Sequence, residues 1–247
     1  MKVAAYQAPL LPGGSMDAVE LVRRRVDWCE ANGVGFLLCP EAFLGGLADD
    51  APRPSDLALS VEGGQLRELL APLASQSVTT IVGFTEADSD GELYNSAAVF
   101  SKGEVVGVYR KRHPAIRSSV YRPGDRSPVF TVGDLSFGIM ICNDSNFPEL
   151  GARMAARGAS VLFVPSNNAL RPERADVVAR TRAVDNAQAK ANGVAVVRAD
   201  VAGDTGERIS FGSSAIVDAE GRVLQSGKPL TEELLVADLR VPAEPAL

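Results

Sequence analysis

The chain has one histidine, His113, and three widely spaced cysteines in 247 residues. That scarcity removes whole classes of chemistry. With no CxxC pair and no HExxH, zinc sites built from His and Cys are excluded. An odd number of distant thiols does not make a disulfide framework. Any Ser–His or Cys–His device must run through His113, which lies in the polar strand end Tyr109-Arg110-Lys111-Arg112-His113-Pro114. A structural role competes with a catalytic one there, because histidine serves in both. The common nucleotide fingerprints are missing too: no GxGxxG follows a strand and no GxxxxGK[ST] is present. No apolar stretch approaches the roughly 18–20 residues of a membrane span. Met1 to Tyr6 lacks the apolar region and cleavage site of a signal peptide. Net charge is −6, from 25 Lys plus Arg against 31 Asp plus Glu, which argues against the basic face of a nucleic-acid binder. The expectation is a soluble, cytoplasmic protein with neither nucleic-acid nor membrane partners.

What remains is an α/β pattern. At 46% hydrophobic and 23% charged residues, the chain can bury a substantial core without staples. Strands are expected at Lys2–Gln7, Val34–Cys39, Val78–Phe84, Ser96–Phe100, Val105–Lys111, Val129–Val132, Leu135–Cys142, Ser160–Val164, Val194–Ala199, Gly212–Asp218, Val223–Ser226 and Leu234–Leu239. Helices are expected at Met16–Asn32, Glu62–Gln76, Phe147–Arg157 and Pro172–Asn192, with a loop over Gly45–Ser60. Helices alternate with strands at both ends and hairpins lie between, which suggests sheets covered by helices on their outer faces. No linker interrupts residues 1–247, so one domain is expected.

Three chemistry-bearing residues stand where apolar runs stop. Glu41 follows Phe36-Leu37-Leu38-Cys39-Pro40, Lys111 ends Val105-Val106-Gly107-Val108-Tyr109-Arg110, and Cys142 ends Phe137-Gly138-Ile139-Met140-Ile141. Catalytic groups of α/β proteins gather at such strand ends. Asn143-Asp144-Ser145-Asn146-Phe147-Pro148-Glu149 follows the cysteine and reads as a helix start, with Asn146 as cap and Pro148 in the first turn. A helix N-terminus is a place where a thiol pKa falls. A carboxylate, an ammonium and a thiol together suit acyl transfer: base, oxyanion stabiliser and nucleophile. Taken singly, each has a plainer reading, a solvated rim charge for Glu41 or Lys111 and a core thiol for Cys142.

The three segments together resemble the motifs of the carbon–nitrogen hydrolases of the nitrilase superfamily. Leu38-Cys39-Pro40-Glu41 is similar to the glutamate motif, Tyr109-Arg110-Lys111-Arg112-His113 to the lysine motif, and Gly138–Asp144 with Phe147-Pro148-Glu149 to the nucleophile motif. Arg182-Ala183-Val184-Asp185-Asn186 and Gly212–Asp218 with Gly221 are similar to two later motifs. The resemblance implies a four-layer α-β-β-α sandwich, commonly a homodimer, with no metal or organic cofactor. It also implies that Glu41 is the base, Cys142 the nucleophile, and Lys111 with the Asn143 backbone N–H the oxyanion holders. Asn167, in Val164-Pro165-Ser166-Asn167-Asn168, resembles a position near the pocket and is assigned to substrate contact.

The chain departs from the family pattern as well. Many members carry a second glutamate six residues before a Pro-Gly; here Arg117 holds that place before Pro123-Gly124, and no acid lies between Arg112 and Gly124. Asn143 stands where an aromatic is common. An inward Arg117 would favour a substrate carboxylate, held in a bidentate fork; the alternative is an arginine in solvent. Cys39 and Cys29 read as core thiols. The expected activity is hydrolysis of a small amide. An N-carbamoyl amide hydrolase, a nitrilase, or a weakly catalytic member that binds a small metabolite are the alternatives.

Overall fold

Strands buried on both faces need a cover on each, and the chain supplies one from either side. The computed structural model describes residues 1–13, 15, 17–168, 176–206 and 208–240. In chain order the strands are β1 (Lys2–Pro9), β2 (Phe36–Leu38), β3 (Ala58–Leu59), β4 (Thr79–Ala87), β5 (Leu93–Ser101), β6 (Glu104–Arg110), β7 (Val129–Val132) and β8 (Leu135–Ile139). They continue with β9 (Val161–Pro165), β10 (Ala195–Ala199), β11 (Val201–Asp204), β12 (Ile209–Phe211), β13 (Ala215–Val217), β14 (Val223–Ser226) and β15 (Glu233–Asp238). The helices are α1 (Asp17–Ala31), α2 (Gln65–Leu70), α3 (Pro148–Ala155) and α4 (Asp176–Asn192).

One sheet runs β12-β11-β1-β2-β4-β5-β6, with β15 also paired to β1 and β3 to β4; the other runs β14-β13-β10-β9-β8-β7. Their inner faces meet through Phe36, Phe137 and Phe163, whose rings lie 5.2–6.0 Å apart. The outer face of the first sheet is covered by Val22, Val26 and Cys29 of α1 and Leu66 and Leu70 of α2, packed with Leu37, Val82 and Phe84. On the far side, Leu150 and Met154 of α3 and Ala189 of α4 join the core around the second sheet. Gly138 makes that cover possible, because a Cβ there would meet Met154 Sδ at 2.4 Å. The result is the four-layer α-β-β-α sandwich. No helix among the described residues is long and apolar enough to cross a membrane.

Local chemistry explains where elements differ from expectation. The helix expected over Glu62–Gln76 is confined to Gln65–Leu70: Gly64 sits at φ 80° before it, and Pro72 breaks it into a 3-10 turn, Ala71–Leu73. The Gly45–Ser60 loop contains 3-10 turns at Ala48–Asp50 and Pro54–Leu57 and the short β3. Strands β11 and β12 lie in a segment too polar to read as strand. The first four residues expected in the last helix, 172–175, lie outside the described residues.

The core also fixes a pH dependence. All three cysteines and all four tyrosines of the chain titrate high. Burial is the leading cause in each, and it pushes Cys29, Cys142 and Tyr121 up to about 12. The unfolded chain gives up thiol protons from about pH 8.5 upward and phenol protons from about 10. The folded state keeps them, so it binds more protons and stability falls as pH rises. That contribution is whole below about pH 8.5. The urea midpoint at about pH 9.5 is therefore expected below that at neutral pH; an unchanged or higher midpoint would contradict the assignment.

Candidate active site

Two turns and one strand end bring the three expected residues together. Glu41 follows β2, and Glu41 N donates to Ser166 O (3.2 Å). The next residue, Ala42, takes φ 46°, a left-handed conformation that costs energy without glycine. Gly83 of β4 lies directly beneath: a Cβ there would sit 2.4 Å from Ala42 N and 2.5 Å from Pro40 O. The Glu41 carboxylate is buried and accepts three hydrogen bonds. Its Oε1 accepts from Lys111 Nζ (2.5 Å) and Asn95 Nδ2 (2.8 Å), and its Oε2 from Asn167 N (3.0 Å). Lys111 continues β6, donating its N–H to Asn95 O and accepting from Gly124 N, both at 2.8 Å.

Cys142 opens a 3-10 turn, Cys142–Asn146, and is itself at φ 46°. Asp144 secures that turn: its Oδ2 accepts from Ile141 N (3.0 Å) and Tyr109 OH (2.7 Å), and its Oδ1 from His113 N (2.8 Å). One carboxylate thus clamps the cysteine turn to the segment that carries Lys111. Asn146 does not cap α3; its amide donates to Asn143 Oδ1 (3.0 Å), and Phe147 holds the cap position without a side-chain bond. Pro148 does take the first turn.

The thiol is not depressed, contrary to the helix-start reading. Burial first, then Glu41, push Cys142 up to about 12, against Lys111 and Arg198, which pull it down. A five-residue 3-10 turn in a desolvated site supplies too little positive field to offset that cost. For Lys111, burial opposes the charge, but Glu41 and then Cys142 more than compensate and hold its pKa above the usual lysine value. Both shifts favour the neutral thiol at Cys142 and the ammonium at Lys111.

Beneath the cysteine turn lies a second, fully buried ion pair. Arg198 of β10 forms a fork with Asp185 of α4 (2.7 and 2.6 Å) and donates to Ser166 Oγ and to Ser145 Oγ (2.9 Å). Ser145 Oγ in turn donates to Cys142 O (2.8 Å). Arg198 therefore braces the cysteine turn through Ser145 and reaches Ser166, whose carbonyl receives Glu41 N.

The other expected site residues divide. Asn167 reaches Glu41 through its backbone. The Asn143 side chain is committed to His113 O (3.1 Å). Arg117 is exposed. The His113 ring stacks on Phe147 with centroids 3.6 Å apart. Cys29 and Cys39 are core thiols. Asn95, Asn168, Arg198 and Asp200 were not expected; a charged or amide side chain inside the apolar runs Tyr94–Phe100 and Val194–Ala199 is the signal that marks Asn95 and Arg198. Among the described residues, no group of three or more His, Cys, Asp and Glu is placed to hold a metal ion. A cleft of about 520 Å³ touches Asn167, with Leu10, Leu47 and Leu57 and the Arg208–Asp50 pair (2.6 Å) also lining it; Glu41, Lys111 and Cys142 do not line it.

The carbon–nitrogen hydrolase family matches residues 2–243, and the chain belongs to that family. It is 31% identical over 212 residues to the (R)-stereoselective amidase of a Pseudomonas species, covering 85% of this chain and 75% of that protein. It is 29% identical over 237 residues to the glutamine-dependent NAD(+) synthetase of Thermotoga maritima, covering 92% of this chain. The chain spans 39% of the length of that relative and 66% of another, a Pseudomonas protegens hydrolase. Among solved structures, a carbon–nitrogen hydrolase from Helicobacter pylori superposes with a TM-score of 0.84 at 23% identity, over 97% of this chain and 88% of that one. That likeness is one of fold.

Proposed function

We propose that residues 1–247 act as one carbon–nitrogen hydrolase domain that cleaves a small amide through a thioester on Cys142. The observation that carries this reading is the buried Lys111 Nζ–Glu41 Oε1 contact of 2.5 Å, with the Cys142 thiol near enough for both charges to act on it. Glu41 takes the S–H proton as sulfur attacks the amide carbon. Lys111 and the Asn143 backbone N–H hold the oxyanion that forms. The C–N bond then breaks and Glu41 hands its proton to the departing ammonia. Glu41 next takes a proton from water as the water attacks the thioester; the C–S bond breaks, a proton returns to sulfur and the carboxylic acid leaves. The cleft that touches Asn167 is assigned as the approach for substrate; its lining mixes Leu10, Leu47 and Leu57 with Asp50, Asp56 and Arg208 and so favours no one acyl class. The exposed position of Arg117 lends no support to carboxylate recognition by that residue. A homodimer is part of the reading, seated on the mainly apolar groove of about 490 Å³ that Ala152 of α3 and Val184, Ala187 and Ala191 of α4 line.

The test is a panel of small amides, nitriles and N-carbamoyl compounds offered to the protein and to Cys142→Ala, with ammonia and intact mass as readouts. Ammonia with a Cys142-dependent acyl adduct is expected from small amides. Carbon dioxide released with ammonia would reassign the substrate to the carbamoyl class. Tight binding without turnover across the panel would make the chain a metabolite-binding member of the family.

A further inference from the structure

Asn168 stands against the cysteine with only one orientation open to it. Its Nδ2 lies 3.0 Å from Asp200 Oδ2 and 3.0 Å from Ser213 Oγ, and Ser213 Oγ is 2.6 Å from that same Asp200 Oδ2. A carboxylate oxygen only accepts, and Ser213 spends its one hydrogen on that oxygen, so both neighbours demand a donor from Asn168. Asp200 is itself fixed: it is fully buried and also accepts from Asn168 N, Val201 N and Ser213 N at 2.9–3.0 Å. The amide cannot turn over without setting its oxygen against a carboxylate. Its Oδ1 therefore faces Cys142 Sγ, 3.7 Å away, and can only accept.

We infer that Asp200, Ser213 and Asn168 form a positioning relay that keeps the proton on Cys142 sulfur until substrate engages Glu41, an inference that rests on the hydrolase reading of the site. An oxygen lone pair facing sulfur accepts S–H and repels a thiolate. The relay thereby denies the resting enzyme a standing thiolate, the form that alkylating agents and oxidants attack. Catalysis then begins when the S–H turns from Asn168 towards Glu41. The other charged groups around the sulfur are Glu41 after β2, Lys111 after β6, Arg198 of β10, Asp200 after β10, and Asp144 on the cysteine's own turn. Glu41 and Asp200 favour the neutral thiol, Lys111 and Arg198 the thiolate. Asn168 adds a fixed dipole to the first group.

The test is the pH profile of Cys142 alkylation by iodoacetamide, followed by intact mass and peptide mapping, in the full chain and in Asn168→Ala. Removing the acceptor is expected to lower the titration midpoint by about one pH unit and raise the neutral-pH rate about tenfold. Ser213→Ala keeps the asparagine and its bond to Asp200 but removes one of the two acceptors that hold the amide, and is expected to shift the midpoint the same way by less. It carries the test if Asn168→Ala does not fold. A purely structural role would change the rate at every pH without moving the midpoint. A midpoint that stays or rises in the variants that fold would overturn the relay. The readout needs no turnover, so a chain inactive on every amide would fail the hydrolase reading while leaving this result to be judged separately.

Discussion

Glu41→Gln is expected to cut amide hydrolysis about a thousandfold or more, within the range of a lost general base compounded by a disturbed oxyanion holder. Glutamine keeps the shape of the side chain but cannot take the thiol proton, and the thiol is in no position to ionise alone, being pushed up to about 12. The second effect falls on Lys111. Its raised pKa depends on Glu41 first and Cys142 second, set against burial that works the other way. With the carboxylate gone, burial dominates and the ammonium tends to lose its charge. The variant should therefore lose kcat far more than it gains KM. Its residual rate should rise with pH, as direct ionisation of Cys142 replaces proton transfer. Steady-state rates on the best amide from the panel, from about pH 6 to 10, check both points. A residual activity within tenfold of the parent would remove Glu41 from the role of base.

Asp185→Ala is expected to produce the largest loss of stability, about 3–5 kcal/mol, because it strands a buried guanidinium without its fork. Arg198 and Asp185 are each 1% exposed as side chains, so bulk solvent does not reach the guanidinium. For a chain of this size the melting temperature should drop by roughly 6–20 °C. The double variant Arg198→Met with Asp185→Leu should recover part of that loss, since an apolar pair of similar volume carries no stranded charge. It should not recover activity, because Ser145 and Ser166 would still lack their donor. Thermal and urea melts of the three proteins settle the matter, and a single-variant loss below about 1 kcal/mol would show that the pair is not isolated from solvent.

The proposed reacting groups are legible because each ends an apolar run: Glu41 after Cys39-Pro40, Lys111 after Tyr109-Arg110, Cys142 after Met140-Ile141. The hairpins are legible for a similar reason, since Gly103 and Gly133 supply the positive φ their turns require. What holds the groups in place is not legible. Asn167 N meets Glu41 across 126 positions of chain and Asn168 meets Asp200 across 32, and no local pattern encodes such pairings. The thiol pKa is the clearest case. The residues after Cys142 look like a helix start, and a start would lower it, but the outcome depends on how deeply two sheets bury the turn.

The pairing of β1 has a consequence for how the protein is made. Along Lys2–Gln7 one edge of β1 is paired, antiparallel, with Glu233–Asp238 of β15, and Met1 N reaches Leu239 O at 2.8 Å. On a ribosome adding about 5–20 residues per second, that edge waits roughly ten seconds or more for its partner to be synthesised. Until then a bare strand edge is open to pairing with another nascent chain. Newly made protein is thus most exposed to misassembly while its first sheet is still open. Slowing synthesis late in the message should lengthen that interval.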